Sequence, residues 1–427
     1  MSKKILGLAV AQWLGLAMLA AGAVHAGTLE TGARPEDVGL SAERLERLTT
    51  ALEEYVEQEQ LAGSVTLIAR RGKIAYLQAA GQRDRESRAP MRTDSIFRIA
   101  SQTKAVVSVG ALILAEEGKL LLADPVGRYL PEFRETTVAV PTQGDQYEVV
   151  AARRPITIRD LLTHTSGFSY GTGVGGDRWE AAGLQGWYFA DRDEPIRESV
   201  KRMAALPAQA QPGERWIYGY STDILGALIE AVADQPLDRF LQTRIFAPLS
   251  MTDTHFYLPR AKRDRLATVY SMTDDGLVRA PDAGGITGSQ GAYVQGPRTS
   301  FSGGAGLLST ATDYARFLQM LLNGGELDGH RILSRKSVEL MTVSHLGEIA
   351  FNAGQGFGLG VSVLEDVGAR GTPGSAGEFG WGGAYHTTYW VDPQEELVVV
   401  HLTQLLPATG VDDQAKVRAL VYQAIAD

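Results

Sequence analysis

The chain has 427 residues, 44% of them hydrophobic and 21% charged, which is enough apolar material for a large core at the charge density of a globular protein. It contains no cysteine, which excludes disulfides, thiolate metal sites, a cysteine nucleophile and a lipid-modified N-terminal cysteine. A formal charge of −9 opposes nucleic acid or an anionic membrane as a partner.

Residues 1–26 read as an export signal. Lys3 and Lys4 form a basic end, Ile5 to Val24 is apolar apart from Gln12, and Val24-His25-Ala26 ends in a small residue suited to cleavage before Gly27. An apolar run of that length can also span a bilayer as a retained anchor. The small residues Ala20-Ala21-Gly22-Ala23 favour removal after Ala26. Cleavage predicts a periplasmic or secreted protein with no stable membrane partner.

Ser41 to Gln60 has Leu45, Leu48, Leu52 and Tyr55 at helical spacing, with Ser41 placed to cap the first turn. Gly63 to Gly81 reads as a β-hairpin, Ser64 to Ala69 and Ile74 to Leu77 around a turn at Arg71-Gly72-Lys73. Next comes Ser101-Gln102-Thr103-Lys104, the stretch with the most chemistry in it. From Thr103 to Gly118 the chain is apolar nearly all round, which predicts a buried helix. Positions i and i+3 are helical neighbours, so Ser101 and Lys104 project side by side. A serine hydroxyl needs a base within hydrogen-bond reach, and a lysine serves when burial makes its charged form costly. Backbone N–H groups at a helix start can also hold a developing oxyanion. Taken alone, Ser-x-x-Lys is a common chance match.

The middle, roughly 96 to 290, reads as mostly helical with long loops, including Ile158 to Thr163 and Thr222 to Ala233. Thr310 to Leu322 is a further helix, with Thr310 and Asp313 as a capping box. Strands return at Phe357 to Leu364, Ala384 to Val391 and Leu397 to Gln404, and a helix from Asp412 to Ile425 closes the chain. The order predicts an α/β chain of the α+β type, one antiparallel sheet built from both chain ends and flanked by helices. The sheet part comprises 27–95 and 291–427, and the helical insertion is 96–290. Glycine gathers at 167–176, 284–306 and 354–383, which read as loops around a site.

Two motifs are decoys. Gly167-Phe168-Ser169-Tyr170-Gly171 spells a nucleophile elbow, but an elbow needs a strand before it and a helix after it. Gly171 to Gly176 fits a dinucleotide fingerprint without the βαβ context. The seven histidines are scattered without ligand spacing, so no metal or cofactor is expected. Two other segments offer partners to Ser101. Tyr218 and Tyr220 stand just ahead of a helix, and a tyrosine beside an ammonium can serve as a base. Trp381-Gly382-Gly383-Ala384 opens a strand at the sheet edge, where glycines allow close approach and an exposed N–H can complete an oxyanion hole.

The series Ser101-Gln102-Thr103-Lys104, Leu161 to Gly167, Pro212-Gly213 through Tyr218, and Trp381-Gly382-Gly383 resembles the serine β-lactamase-related superfamily over about 35 to 425. That group contains class C β-lactamases, D-alanyl-D-alanine carboxypeptidases and family VIII carboxylesterases. The resemblance implies Ser101 as nucleophile, Lys104 as proton acceptor and Tyr218 as the base relaying protons, with Tyr220 the rival. It implies an oxyanion hole of the Ser101 and Ala384 N–H groups, and substrate contacts from Trp381, Gly382, Gly383 and Tyr220. It also implies a β-lactamase/transpeptidase-like fold with an all-helical subdomain. Lactamases and peptidases of the group usually carry Lys-Thr-Gly and Tyr-x-Asn. Here Trp381-Gly382-Gly383 and Tyr218-Gly219-Tyr220 stand instead, which looks like the esterase branch and an uncharged ester or amide substrate. A β-lactamase or peptidase, or a non-catalytic binding protein of the same fold, are the alternatives.

Overall fold

The computed structural model describes residues 27–144, 146–282 and 289–427; the export-signal segment, 1–26, lies outside them. Helix α1 (Ala42–Glu57) begins where the Ser41 hydroxyl accepts the Arg44 N–H, and it buries Leu45, Leu48, Leu52 and Tyr55 as their spacing requires. The hairpin β1 (Gly63–Arg70) and β2 (Lys73–Asp84) follows, then the short β3 (Ala89–Pro90). Helix α2 (Thr103–Glu116) is buried on every side from Thr103 to Leu114. It packs against α4 (Ser221–Ala233), while α3 (Ile158–Leu162) is a single capped turn before the His164-Thr165-Ser166-Gly167 loop. Helix α5 (Ala311–Leu322) leads back to the sheet strands β4 (Gln355–Phe357), β5 (Ser362–Leu364), β6 (Phe379–Gly383), β7 (Thr387–Asp392) and β8 (Leu397–Leu402). Helix α6 (Asp413–Tyr422) is last.

Among the described residues the strands form one eight-stranded antiparallel sheet in the order β4-β5-β6-β7-β8-β1-β2-β3. The two chain ends meet at its centre, where Val65 pairs with Leu402 and Leu67 with Val400. Both central strands are buried throughout. Ile68, Leu397 and Val399 pack with the leucines of α1 and with Val417 and Val421 of α6 on one face. Val65, Leu67, Val398 and Val400 join the main core on the other, under α5. Each such side chain contributes about 1.5–3 kcal/mol on leaving water, so the sheet is a firm base for loops at its rim.

Three local expectations need correction. Phe357 to Leu364 is two short strands, because the chain turns back at Gly358 to Val361, where Gly360 has φ +87. The Ala384 strand starts only at Thr387; Ala384 lies in the turn between β6 and β7, and Trp381-Gly382-Gly383 ends β6 itself. β6 is interior to the sheet order, yet β5 pairs it only as far as Gly380, so Trp381 to Gly383 forms a local edge. Finally, Thr310 caps α5 but Asp313 does not reciprocate. Its carboxylate takes the Asp253 N–H and the Thr254 hydroxyl instead. The middle of the chain also contains two small hairpins, Thr137–Pro141 with Tyr147–Ala151 and Tyr270–Thr273 with Gly276–Arg279.

Candidate active site

Ser101 sits in a 3-10 turn (Ala100–Gln102) that runs directly into α2. The residue before it, Ala100, has φ +41, a backbone conformation costly for any residue with a Cβ. The surroundings hold it there. Ile99 N–H bonds the Leu307 carbonyl, Tyr314 Oη donates to the Gln102 carbonyl at 2.8 Å, and Thr103 Oγ1 accepts the Leu307 N–H at 3.0 Å. One turn on, Lys104 is wholly buried, and its Nζ donates to Ser101 Oγ at 3.1 Å, Tyr170 Oη at 3.0 Å and the Gly304 carbonyl at 2.8 Å. Those three acceptors satisfy an ammonium completely; a neutral amine would meet the same partners by accepting the Ser101 proton. Serine and lysine are therefore already in proton-transfer contact.

Tyr218 lies over the same ammonium, with Lys104 Nζ 4.5 Å from its ring centroid. Its oxygen accepts the indole N–H of Trp381 at 3.0 Å. Trp381 is thus more than an apolar wall, because it presents a hydrogen-bond donor to the tyrosine expected to act as base. Behind Tyr218, the neutral ring of His164 packs at 4.9 Å between centroids. Burial, then the Lys104 charge, hold that imidazole well below its ordinary pKa. Tyr220 turns away. It is fully buried, stacks on Trp179 and donates to the carbonyls of Leu184 and Gly186, so it is core and contacts no substrate, contrary to the expectation from its spacing.

Tyr170 takes the place beside Lys104 that sequence reasoning did not assign. It came in the elbow-like Gly167 to Gly171, whose serine is spent in a turn: Ser169 Oγ accepts the Gly171 N–H and donates to the Thr172 carbonyl. Burial pushes the Tyr170 hydroxyl well above the ordinary tyrosine range, and the neighbouring Tyr218 and Asp223 add to it. Tyr170 therefore stays a neutral partner of Lys104. Its position three residues past the His164-to-Gly167 run was the available signal.

The glycines of β6 bring the oxyanion candidates together. A Cβ on Gly383 would overlap the Ile99 carbonyl oxygen, so only glycine lets this strand end lie against the Ser101 turn, with Ala384 next in the chain. Gly382, Gly383 and Ala384 are half-buried, as is Trp381. A hydroxyl–imidazole–carboxylate chain exists elsewhere, Thr66 to His401 to Asp413, but all three are fully buried, Thr66 and His401 within the two central strands, and closed off from solvent.

The Beta-lactamase family model matches residues 48–423. The chain belongs to the β-lactamase family. It is a serine hydrolase of the superfamily that includes the family VIII carboxylesterases. Protein Rv1367c of Mycobacterium tuberculosis is 36% identical over 379 residues, covering 86% of this chain and 92% of that one. Esterase EstB of Burkholderia gladioli is 34% identical over 370 residues, covering 84% of this chain and 89% of its own. The solved structure of EstCE1, described as a hydrolase with promiscuous acyltransferase activity, superposes with a TM-score of 0.75 at 30% identity, over 89% of this β-lactamase-family chain and 98% of EstCE1.

Proposed function

We propose that this protein is an exported carboxylesterase that cleaves short-chain esters through an acyl-enzyme on Ser101. The contact that carries the reading is Trp381 Nε1 to Tyr218 Oη: an indole closes the place where the lactamase and peptidase pattern puts a lysine. In the first step Ser101 Oγ attacks the ester carbonyl, and its proton passes to the Lys104–Tyr218 pair. The N–H groups of Ser101 and Ala384 hold the oxyanion, and the pair returns the proton to the departing alcohol. Water then repeats the sequence on the acyl-enzyme. The acyl acceptor is water by default; an alcohol in the same place would give transfer, in line with the description of EstCE1.

Selection falls to the walls. Trp381, Trp216 and Phe351 form a contiguous aromatic surface beside Tyr218. A neutral ester packs against such a surface, whereas a β-lactam carboxylate facing an indole is desolvated without a charged partner. That missing charge-assisted bond is worth on the order of 1.5–3 kcal/mol. The test compares kcat/KM for p-nitrophenyl butyrate and palmitate with that for a chromogenic cephalosporin. Butyrate is expected to lead and the cephalosporin to be turned over feebly; preference for the cephalosporin sinks the esterase reading. Trp381→Lys should weaken ester turnover. Export predicts a mature N-terminus at Gly27, read by intact mass of the protein from its native host or a secreting one.

A further inference from the structure

Asp223 is a carboxylic acid with no place in the chemistry above, held without solvent in the first turn of α4. Its Oδ1 accepts the Ser302 hydroxyl at 2.6 Å and the Gly304 N–H at 3.0 Å, while its Oδ2 has no hydrogen-bond partner among the described residues. Gly304 is also the residue whose carbonyl takes the Lys104 ammonium at 2.8 Å. One glycine thus has an acid on its N–H side and the catalytic-site base on its C=O side. The approach is built for: a Cβ on Gly304 would overlap Asp223 Oδ2, and one on Gly303 would overlap the Thr222 carbonyl. Two donors converge on one oxygen, and the positive end of a 13-residue helix lies beneath it, both of which favour the ionised form.

The groups around the acid leave Lys104 as its counter-charge. Tyr170, from the loop after α3, and Tyr220, at the start of α4, feel the Asp223 charge and are held neutral, burial being the larger cause for each. The Ser302-Gly303-Gly304-Ala305 loop carries no titratable side chain. The neighbouring helices Ile196–Met203 and Leu237–Leu241 bury Ile196, Val200, Met203, Leu237 and Leu241. Burial raises the pKa of Asp223 from its ordinary value, opposed by the Ser302 hydrogen bond and the Lys104 charge. A buried ionised acid with one oxygen unmet costs stability, so its presence needs a reason beyond packing.

We propose that Asp223 is a positioning residue whose ionised carboxylate balances the buried Lys104 ammonium through Gly304, and so sets the pH at which Ser101 becomes nucleophilic. The proposal rests on Ser101 being the nucleophile. Asp223 transfers no proton; the Ser101 proton goes to the Lys104–Tyr218 pair, and Asp223 keeps its charge throughout. Removing a negative charge makes that pair release its proton more readily, so the acid limb of the rate profile moves to lower pH, by about one unit.

The experiment follows the rate of Ser101 labelling by a fluorophosphonate across pH, alongside p-nitrophenyl butyrate hydrolysis, in wild type, Asp223→Asn and Asp223→Glu. The smaller Asp223→Ser is a second neutral variant should the amide misfold. Both neutral variants are expected to shift the acid limb down by about one unit, and Asp223→Glu to keep it near the wild-type position whatever its rate. Folded neutral variants whose limb superimposes on the wild type's overturn the proposal, because a purely structural acid would change amplitude and leave the limb in place. A wild type left unlabelled at Ser101 overturns the nucleophile assignment, and this inference falls with it.

Discussion

Trp381→Phe isolates the contact on which the proton path turns. Phenylalanine keeps an aromatic ring against Tyr218, Trp216 and Phe357 and removes, with part of the indole surface, the N–H that reaches Tyr218 Oη at 3.0 Å. The size of the loss reports the charge on that oxygen. A hydrogen bond between neutral groups is worth about 0.5–1.5 kcal/mol, and one to a charged group about 1.5–3 kcal/mol. In rate these are roughly two- to tenfold and ten- to hundredfold. With Tyr218 as base the larger range falls on kcat measured below the acid limb, with KM little changed, because the donor holds the oxygen in the anionic form that accepts the Ser101 proton. The acid limb should move to higher pH, since the anionic oxygen loses a donor. Steady-state kinetics on p-nitrophenyl butyrate across pH measures all three. A raised KM with unchanged kcat refutes the reasoning and leaves Trp381 as a wall only.

Ser101→Ala should remove ester hydrolysis by about four orders of magnitude or more, while Ser169→Ala keeps most of it, its hydroxyl serving only a turn; the reverse pattern would move the nucleophile to Ser169. Tyr218→Phe should cost several orders of magnitude in turnover. Tyr220→Phe should leave turnover near wild type and lower stability by about 1–3 kcal/mol, as buried carbonyls lose their donor; the opposite result in kinetics and melts would make Tyr220 the base. Burial alone would raise the Asp413 carboxyl, but the His386 and His401 bonds outweigh it and hold the pKa well below the carboxylate range. A depressed acid stabilises the fold above its unfolded value of about 4 and loses that as pH falls through the folded one. Asp413→Asn should therefore cost about 3–5 kcal/mol at neutral pH, and urea melts should show the gap closing in acid; a gap that persists refutes it.

The short-range features of this chain were legible in sequence because they depend on spacing. Leu45, Leu48, Leu52 and Tyr55 define α1 by period, Ser41 caps it, and Ser101 and Lys104 are helical neighbours through any fold that keeps the helix. Two long buried strands at opposite ends of the chain likewise call for a sheet that joins them. Only the tertiary structure separates the positions of Tyr218 and Tyr220. Two residues apart just before a helix, their side chains diverge, one over Lys104 and the other into the core against Trp179, and no periodicity separates them. It alone recruited Tyr170 from a loop that reads as a decoy, turned Trp381 into a donor, and set Asp223 across Gly304 from Lys104. These contacts join residues 66, 163 and 81 positions apart in the chain. Local pattern fixes which residues share a helix face; which faces meet depends on how buried surfaces close around one core, and the site is made where they meet.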